Sequence, residues 1–99
     1  MESRLQTETR VLVERETQIR NKEGFHFRPI MRFVDLASKY TARITVHCDE
    51  RRADARSPME LLMLVATHGS KVRLVAEGAD AEPAAAALVS LIEAGFNES

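Results

Sequence analysis

The stretch Gly-Phe-His-Phe-Arg-Pro at residues 24–29 places a histidine and an arginine where a helix is expected to begin. Neither His26 nor Arg28 suits a helix N-terminus, because good N-cap residues carry short side chains whose oxygens accept backbone hydrogen bonds. A cation in the first turn also opposes the positive end of the helix dipole, at a cost of about 0.3–1 kcal/mol. Two unfavourable local choices side by side indicate a role that outweighs their cost in stability.

The pair formed by His26 and Arg28 admits two interpretations. One is a solvated loop histidine beside a surface arginine. The other is a phosphate site, in which a nucleophilic imidazole accepts a phosphoryl group. The free N–H groups of the helix and the guanidinium would then hold the anion, and Gly24 would let the loop turn tightly beneath it. The spacing alone leaves both interpretations open.

Alternating apolar residues on either side of this stretch predict four strands. The predicted strands cover residues 11–19, 44–48, 53–55 and 72–76. The first has one flaw at Arg15, where a charged residue takes an apolar position, and the third depends on two alanines alone. Turn-forming or polar residues predict turns at 21–24, 49–52 and 78–80.

Three helices are predicted from apolar spacing and from capping residues. The first runs from Phe27 to Tyr40, with Pro29 tolerated in its first turn. The second begins with a capping box after Ser57, continues through residue 66 and stops near Gly69. The third is predicted over 83–94, opened by a proline and ended by a glycine.

The order strand, helix, strand, strand, helix, strand, helix predicts an α+β open-faced sandwich, with helices on one face of a mostly antiparallel sheet. The middle helix is apolar nearly all round, and a helix lying on a sheet cannot bury every side. Some of its apolar residues are therefore expected to stay exposed as a partner surface. These residues are Met59, Leu62, Met63 and Val65.

Composition restricts the class of protein. The chain has 99 residues, the size of one small domain, with 44% hydrophobic and 29% charged residues. Its net charge of -1 gives no sign of nucleic-acid binding. The single cysteine, Cys48, excludes an intramolecular disulfide and fits a reducing compartment. No apolar run approaches a membrane span, and the polar residues 1–10 lack a signal-peptide core, so we expect a cytoplasmic protein without membrane insertion.

Other chemically active side chains have simpler explanations. The run His-Cys-Asp-Glu at 47–50 contains four metal-ligand types, but neighbouring strand residues point to opposite faces and cannot converge. Ser57 is interpreted as a helix N-cap, with regulatory phosphorylation as the alternative. His68 is expected at a helix end, where it would complement the dipole. Nothing in the sequence calls for a metal, a cofactor or more than a monomer.

Taken together, these residues resemble the HPr family, the histidine phosphocarriers of the bacterial phosphoenolpyruvate:sugar phosphotransferase system. The segment 23–29 is similar to the family's active-site motif Asn-Gly-Leu-His-Ala/Thr-Arg-Pro. The strand at 44–46 and the segment 75–80 are similar to the family's in matching register. The resemblance runs from about Val11 to Phe96. Residues 1–9 would then be a flexible N-terminal extension, and 10–99 an HPr-like domain.

The resemblance implies a four-stranded antiparallel sheet covered on one side by three helices. It implies that His26 accepts a phosphoryl group from Enzyme I and passes it to the IIA domains of sugar permeases, while Arg28 stabilises that group. Gly24 and Phe27 would complete the phosphate-binding segment. The protein would act as a phosphotransferase component only with partner enzymes. The partner surface would consist of Phe27, Met59, Leu62 and Met63.

Departures from the family pattern keep alternatives open. Phe27 replaces the usual small residue between the histidine and the arginine, which narrows access or alters the partner surface. Pro58 and Glu60 differ from the family around Ser57, so recognition by the family's serine kinase stays open. Two rivals to sugar uptake remain. One is a regulatory HPr-like protein of a nitrogen-type phosphotransferase branch, and the other is a binding-only module in which His26 is never phosphorylated and a regulator docks.

Overall fold

The computed structural model describes residues 11–98 and contains four strands and three helices in that part of the chain. The elements are β1 Leu12–Gln18, α1 Phe27–Ala37, β2 Arg43–Cys48, β3 Arg51–Asp54, α2 Pro58–Leu62, β4 Lys71–Glu77 and α3 Ala81–Glu93, followed by a 3-10 turn at Gly95–Asn97. The strands form one antiparallel sheet in the order β1-β4-β2-β3. The predicted α+β open-faced sandwich is therefore confirmed. The extension predicted at 1–9 lies outside the described residues.

The core lies between one face of the sheet and the helices. On that face Ile44 and Val46 of β2 and Leu74 of β4 are buried, and Phe33 of α1 and Leu88 of α3 pack above the sheet, also buried. The residues between them on each strand are half-buried or exposed. Period-two alternation therefore assigns these two central strands correctly, because only one face of each is covered.

The charged flaw in β1 has a partner on the helical layer. Arg15 shares the inward parity of the buried Val13 and Thr17, but β1 is an edge strand and the side chain reaches past the core. Its Nη2 lies 3.1 Å from Oε1 of Glu82 on α3. An exposed pair of this kind contributes little to stability, yet it makes an inward arginine tolerable.

The first helix ends at Ala37, one turn before the predicted end at Tyr40. The Arg56 guanidinium lies under this end, and its Nη2 donates to the carbonyl oxygens of Ala37, Tyr40 and Ala42. A cation at a helix C-terminus stabilises both the unpaired carbonyls and the dipole. The chain therefore leaves the helix around a long-range contact that local spacing does not reveal.

The prediction that the second helix continues through residue 66 to Gly69 is wrong. Helix α2 stops at Leu62, and the chain turns at Val65, whose φ is +54°. Because of this turn, the carbonyl oxygen of Ala66 accepts the amide of Phe25 at 3.0 Å. His68 consequently lies in an exposed loop and not at a helix end.

Smaller differences concern turns and helix starts. The predicted turn at 49–52 is limited to residues 49–50, because residues 51 and 52 already pair with β2 in β3. Ala53 lies in β3, whereas Ala55 follows it and donates its amide to Ile44. Helix α3 begins at Ala81, which places Pro83 in the first turn, where it removes no helical hydrogen bond.

Within residues 11–98, no helix combines the length and apolar character needed to cross a bilayer.

Candidate functional site

His26 is the N-cap of α1, as the sequence predicted. Its backbone is extended, with φ −103° and ψ −167°, and its side chain does not bond to the amides of the first turn. The first turn carries no acidic residue. The amides of Phe27 and Arg28 have no acceptor within the described residues, and Pro29 has no N–H. The helix therefore presents free donors beside an uncommitted imidazole.

The two nitrogens of the His26 ring differ in environment. The side chain is 43% exposed, yet Nε2 is buried and has no hydrogen-bond partner among the described residues. Nε2 faces Oε2 of Glu98 at 3.7 Å. The exposed part of the ring therefore excludes Nε2, and Nδ1 is the nitrogen available to an incoming group.

Arg28 lies on the same open cavity as His26. The cavity has a volume of about 450 Å³, and the arginine side chain is exposed beside it. The other residues that line this cavity are Glu23, Arg32, Asn97 and Glu98. Arg32 lies one helical turn after Arg28, and a search for helical neighbours could have found it. No local pattern identifies Glu98, because it reaches the cavity from the other end of the chain.

Gly24 brings the loop that precedes His26 close to another segment. Its φ is +80°, and a Cβ placed on it would lie 3.0 Å from the Cα of Thr67 and 3.1 Å from the carbonyl oxygen of Ala66. Only glycine fits such an approach without strain. The requirement at Gly24 is therefore both conformational and steric.

Three aromatic rings pack together beneath His26, one from the loop, one from α1 and one from the C-terminal turn. Phe25 makes an edge-to-face contact with Phe33, with ring centres 5.4 Å apart and planes at 80°. It also stacks on Phe96, again at 5.4 Å, with planes at 18°. The buried Phe96 anchors the C-terminal turn, and Arg32 donates to its carbonyl oxygen. The loop, the first helix and the C-terminal turn therefore meet under His26.

Five exposed apolar side chains lie on α1, on α2 and in the loop that follows α2. The sequence predicted that part of the middle segment would stay uncovered, and the structure confirms it. Their exposed fractions run from 50% to 70%. We call them the apolar surface: Phe27, Met59, Leu62, Met63 and Val65.

Ser57 is the N-cap of α2. Its Oγ accepts the amide of Glu60 at 3.3 Å, which is half of the predicted capping box. The Glu60 carboxylate does not return to Ser57 and accepts the amide of Asp54 at 2.9 Å. The Ser57 hydroxyl therefore already has a structural use.

The residues at 47–50 do not converge, as strand alternation predicted. Cys48 is buried in the core, while His47 lies on the uncovered face of the sheet. Burial and the nearby Arg73 lower the pKa of His47. Burial and the adjacent Asp49 carboxylate raise the pKa of the Cys48 thiol.

Comparisons with known proteins match most of the chain. Residues 13–94 match the family model described as PTS HPr component phosphorylation site. Phosphocarrier protein NPr of Shewanella violacea is 38% identical over 88% of this chain and 96% of its own length. The HPr-like protein Crh of Halalkalibacterium halodurans is 34% identical over 83% of this chain and 98% of its own. The crystal structure of HPr-C-His from Thermoanaerobacter tengcongensis superposes with a TM-score of 0.84 at 42% identity, covering 88% of this chain and 98% of that one.

Proposed function

The chain belongs to the HPr family of phosphocarrier proteins, and we propose that His26 is the residue that carries the phosphoryl group. The observation that carries this proposal is the asymmetry of the imidazole ring. Nε2 is buried against Glu98, while the side chain as a whole is 43% exposed. Nδ1 is therefore the nucleophile.

Charge around the ring supports the binding of an anion. The amides of Phe27 and Arg28 point out of the positive end of α1 without acceptors in the described chain. The Arg28 guanidinium lines the same cavity and can offer paired donors to phosphoryl oxygens. Together these groups supply positive potential on the side of the ring that a phosphoryl group would occupy.

The transfer step needs little from the protein beyond position and charge. The lone pair of Nδ1 forms a bond to phosphorus, while the bond between phosphorus and the donor's leaving group breaks. The leaving group departs with the bonding electron pair. The ring becomes a phosphorylated imidazolium cation, and attack by a nucleophile of the next partner restores neutral His26.

The apolar surface is the docking site in this proposal. Phe27 directly follows the phosphoryl acceptor. Met59 and Leu62 extend the surface onto α2, and Met63 and Val65 extend it into the loop that follows. Methionine side chains adapt to differently shaped partners, which suits a carrier that binds a donor and then an acceptor. A modest interface also lets the carrier leave each partner quickly.

The partners we propose are Enzyme I as donor and the IIA domains of sugar permeases as acceptors. A second candidate is a regulatory nitrogen-type branch, and the 38% identity to phosphocarrier protein NPr favours it. Initial rates of phosphorylation by a sugar-type and a nitrogen-type Enzyme I, at equal concentration, separate the two. A clear preference for the nitrogen-type donor would overturn the assignment to sugar uptake.

The experiment that tests His26 is phosphorylation followed by intact-mass measurement. With phosphoenolpyruvate and Enzyme I, the protein should gain one phosphoryl group that is lost in acid. His26→Ala should gain none, whereas His68→Ala, which removes an exposed loop histidine, should still be phosphorylated. An unmodified wild-type protein with both types of Enzyme I would instead identify a binding-only module.

We propose that Ser57 acts as a structural cap and not as a regulatory phosphorylation site. Its Oγ accepts the Glu60 amide, and the negative charge of the Glu60 carboxylate would repel an added phosphate. Incubation with HPr serine kinase and ATP should therefore add no acid-stable phosphate. A stable phosphate that is absent from Ser57→Ala would refute this.

A further inference from the structure

The buried nitrogen of His26 faces a single carboxylate in the described part of the chain. Nε2 lies 3.7 Å from Oε2 of Glu98 and has lost contact with solvent. A neutral imidazole carries its one proton on either nitrogen. If that proton is on Nε2, a positive N–H faces the carboxylate. If it is on Nδ1, a lone pair on Nε2 faces the negative charge. The first arrangement has the lower energy.

Glu98 is held in place from two directions. Asn21 is buried, and its Nδ2 donates to Oε1 of Glu98 at 3.3 Å and to the carbonyl oxygen of Gly24 at 2.6 Å. Two residues earlier, Phe96 is fully buried and stacked on Phe25. The side chain of Glu98 is only 19% exposed. The carboxylate is therefore fixed relative to the same loop that carries His26.

We infer that Glu98, held by Asn21, is a positioning residue that keeps the proton of neutral His26 on Nε2 and so leaves the lone pair on Nδ1. The benefit for transfer rests on the proposed role of His26, because only the deprotonated nitrogen can attack phosphorus. After attack the ring is a cation that retains its Nε2 proton. The Glu98 carboxylate, on the side opposite the new phosphoryl group, then faces that positive charge.

The direct test is the tautomer of His26 in the unphosphorylated protein. Nitrogen-15 chemical shifts of the two ring nitrogens, measured by NMR on the neutral ring, distinguish the Nε2–H from the Nδ1–H form. The wild-type protein should show the Nε2–H form. In Glu98→Gln, which keeps the size of the side chain but removes its charge, the share of the Nδ1–H form should rise about fivefold, as expected for the loss of one partly exposed charge contact.

Glu23→Gln provides the matched control, because Glu23 lines the same cavity and its carboxylate forms no ion pair or hydrogen bond with the ring. We expect its His26 shifts to match those of the wild type. An equal change in Glu23→Gln and Glu98→Gln would overturn the inference, because the effect would then come from the general field of the cavity. A wild-type Nδ1–H form, or a Glu98→Gln spectrum identical to that of the wild type, would also overturn it.

Phosphorylation kinetics complete the test and separate this inference from the proposed function. Glu98→Gln should slow phosphorylation by Enzyme I about fivefold, because its side chain no longer places a negative charge beside the imidazolium that forms, while its backbone amide spectrum stays native. If the wild type shows the Nε2–H form but is never phosphorylated, the proposed function fails and the positioning role of Glu98 stands. If the wild type is phosphorylated and Glu98→Gln reacts at the same rate with an unchanged tautomer, the positioning role fails alone.

Discussion

Gly24 and Gly69 form a matched pair for measuring how tightly the loop before His26 is packed. Both have positive φ, +80° and +89° respectively. A Cβ on Gly24 would lie 3.0 Å from the Cα of Thr67, whereas a Cβ on Gly69 would meet nothing within 4 Å. Substitution by alanine therefore imposes the same kind of backbone strain at both positions, and a steric clash at only one of them.

The expected costs follow from these two terms. The left-handed conformation costs a non-glycine residue about 1–2 kcal/mol. A forced contact in packed structure adds about 1–3 kcal/mol, because Thr67 and Ala66 meet the new methyl with rigid backbone atoms. We expect Gly69→Ala to lower the free energy of unfolding by about 1–2 kcal/mol and Gly24→Ala by about 2–5 kcal/mol. Alanine also lowers the conformational entropy of the unfolded chain, by a similar amount at both sites, so this effect largely cancels in the difference between the two variants.

Urea denaturation, followed by far-ultraviolet circular dichroism, measures both values on the same chain. The difference between the two variants is the informative quantity, and we expect Gly24→Ala to be the less stable by about 1–3 kcal/mol. Equal losses, or a larger loss in Gly69→Ala, would refute the close approach of the loop to residues 66 and 67. A changed denaturant slope would indicate that the loop had detached instead.

Three further predictions concern charge, pH and backbone strain. Arg28→Ala should slow phosphorylation by about 10- to 100-fold without loss of stability. The control Arg43→Ala, on the uncovered sheet face, should leave the rate unchanged. Equal rates for the two variants would exclude the role of Arg28. Asp80 accepts the amides of Thr41 and Ala42, both at 2.8 Å, and the first of these bonds is the main reason its pKa is lowered. The stability that Asp80 contributes should therefore be present above the carboxyl's unfolded pKa of about 4, and lost as the pH falls through the lower folded pKa. The gap in unfolding midpoint between wild type and Asp80→Ala should close in acid, and a constant gap would contradict this. Val65→Gly should raise the free energy of unfolding by about 0.5–1 kcal/mol. The substitution removes left-handed strain at an exposed valine, and this gain exceeds the chain entropy that glycine adds to the unfolded state. A lower midpoint of thermal unfolding in Val65→Gly would refute the strain.

Where residues interact with near neighbours in sequence, their structure could be predicted. Helix α1 begins where Pro29 and the apolar spacing indicated, and Ser57 caps α2 as its neighbours suggested. The alternation in β2 and β4 assigns their buried faces, because one face of each strand meets the helices. His26 and Arg28 could be singled out because both are unfavourable in their local setting.

What the sequence could not reveal depends on contacts between distant segments. Helix α2 stops early because the segment that follows it accepts a hydrogen bond from Phe25. Phe25 is distant in sequence, so no helical or strand periodicity identifies it as a partner. Helix α1 ends over Arg56, which lies beyond β3. Glu98 reaches His26 from beyond the last helix, and its ordinary appearance in a polar tail gives no signal. Tertiary contacts decide these three features, and local preference is too weak to oppose them.

The burial of Cys48 has a practical consequence for studying motion in this protein. It is the only cysteine in the chain, it is 3% exposed at the end of β2, and burial raises the pKa of its thiol. Thiol reagents attack the thiolate, so the native protein should react only when the β2–β3 corner separates from the core. The rate of labelling under native conditions therefore reports the opening of that corner, with no engineered probe.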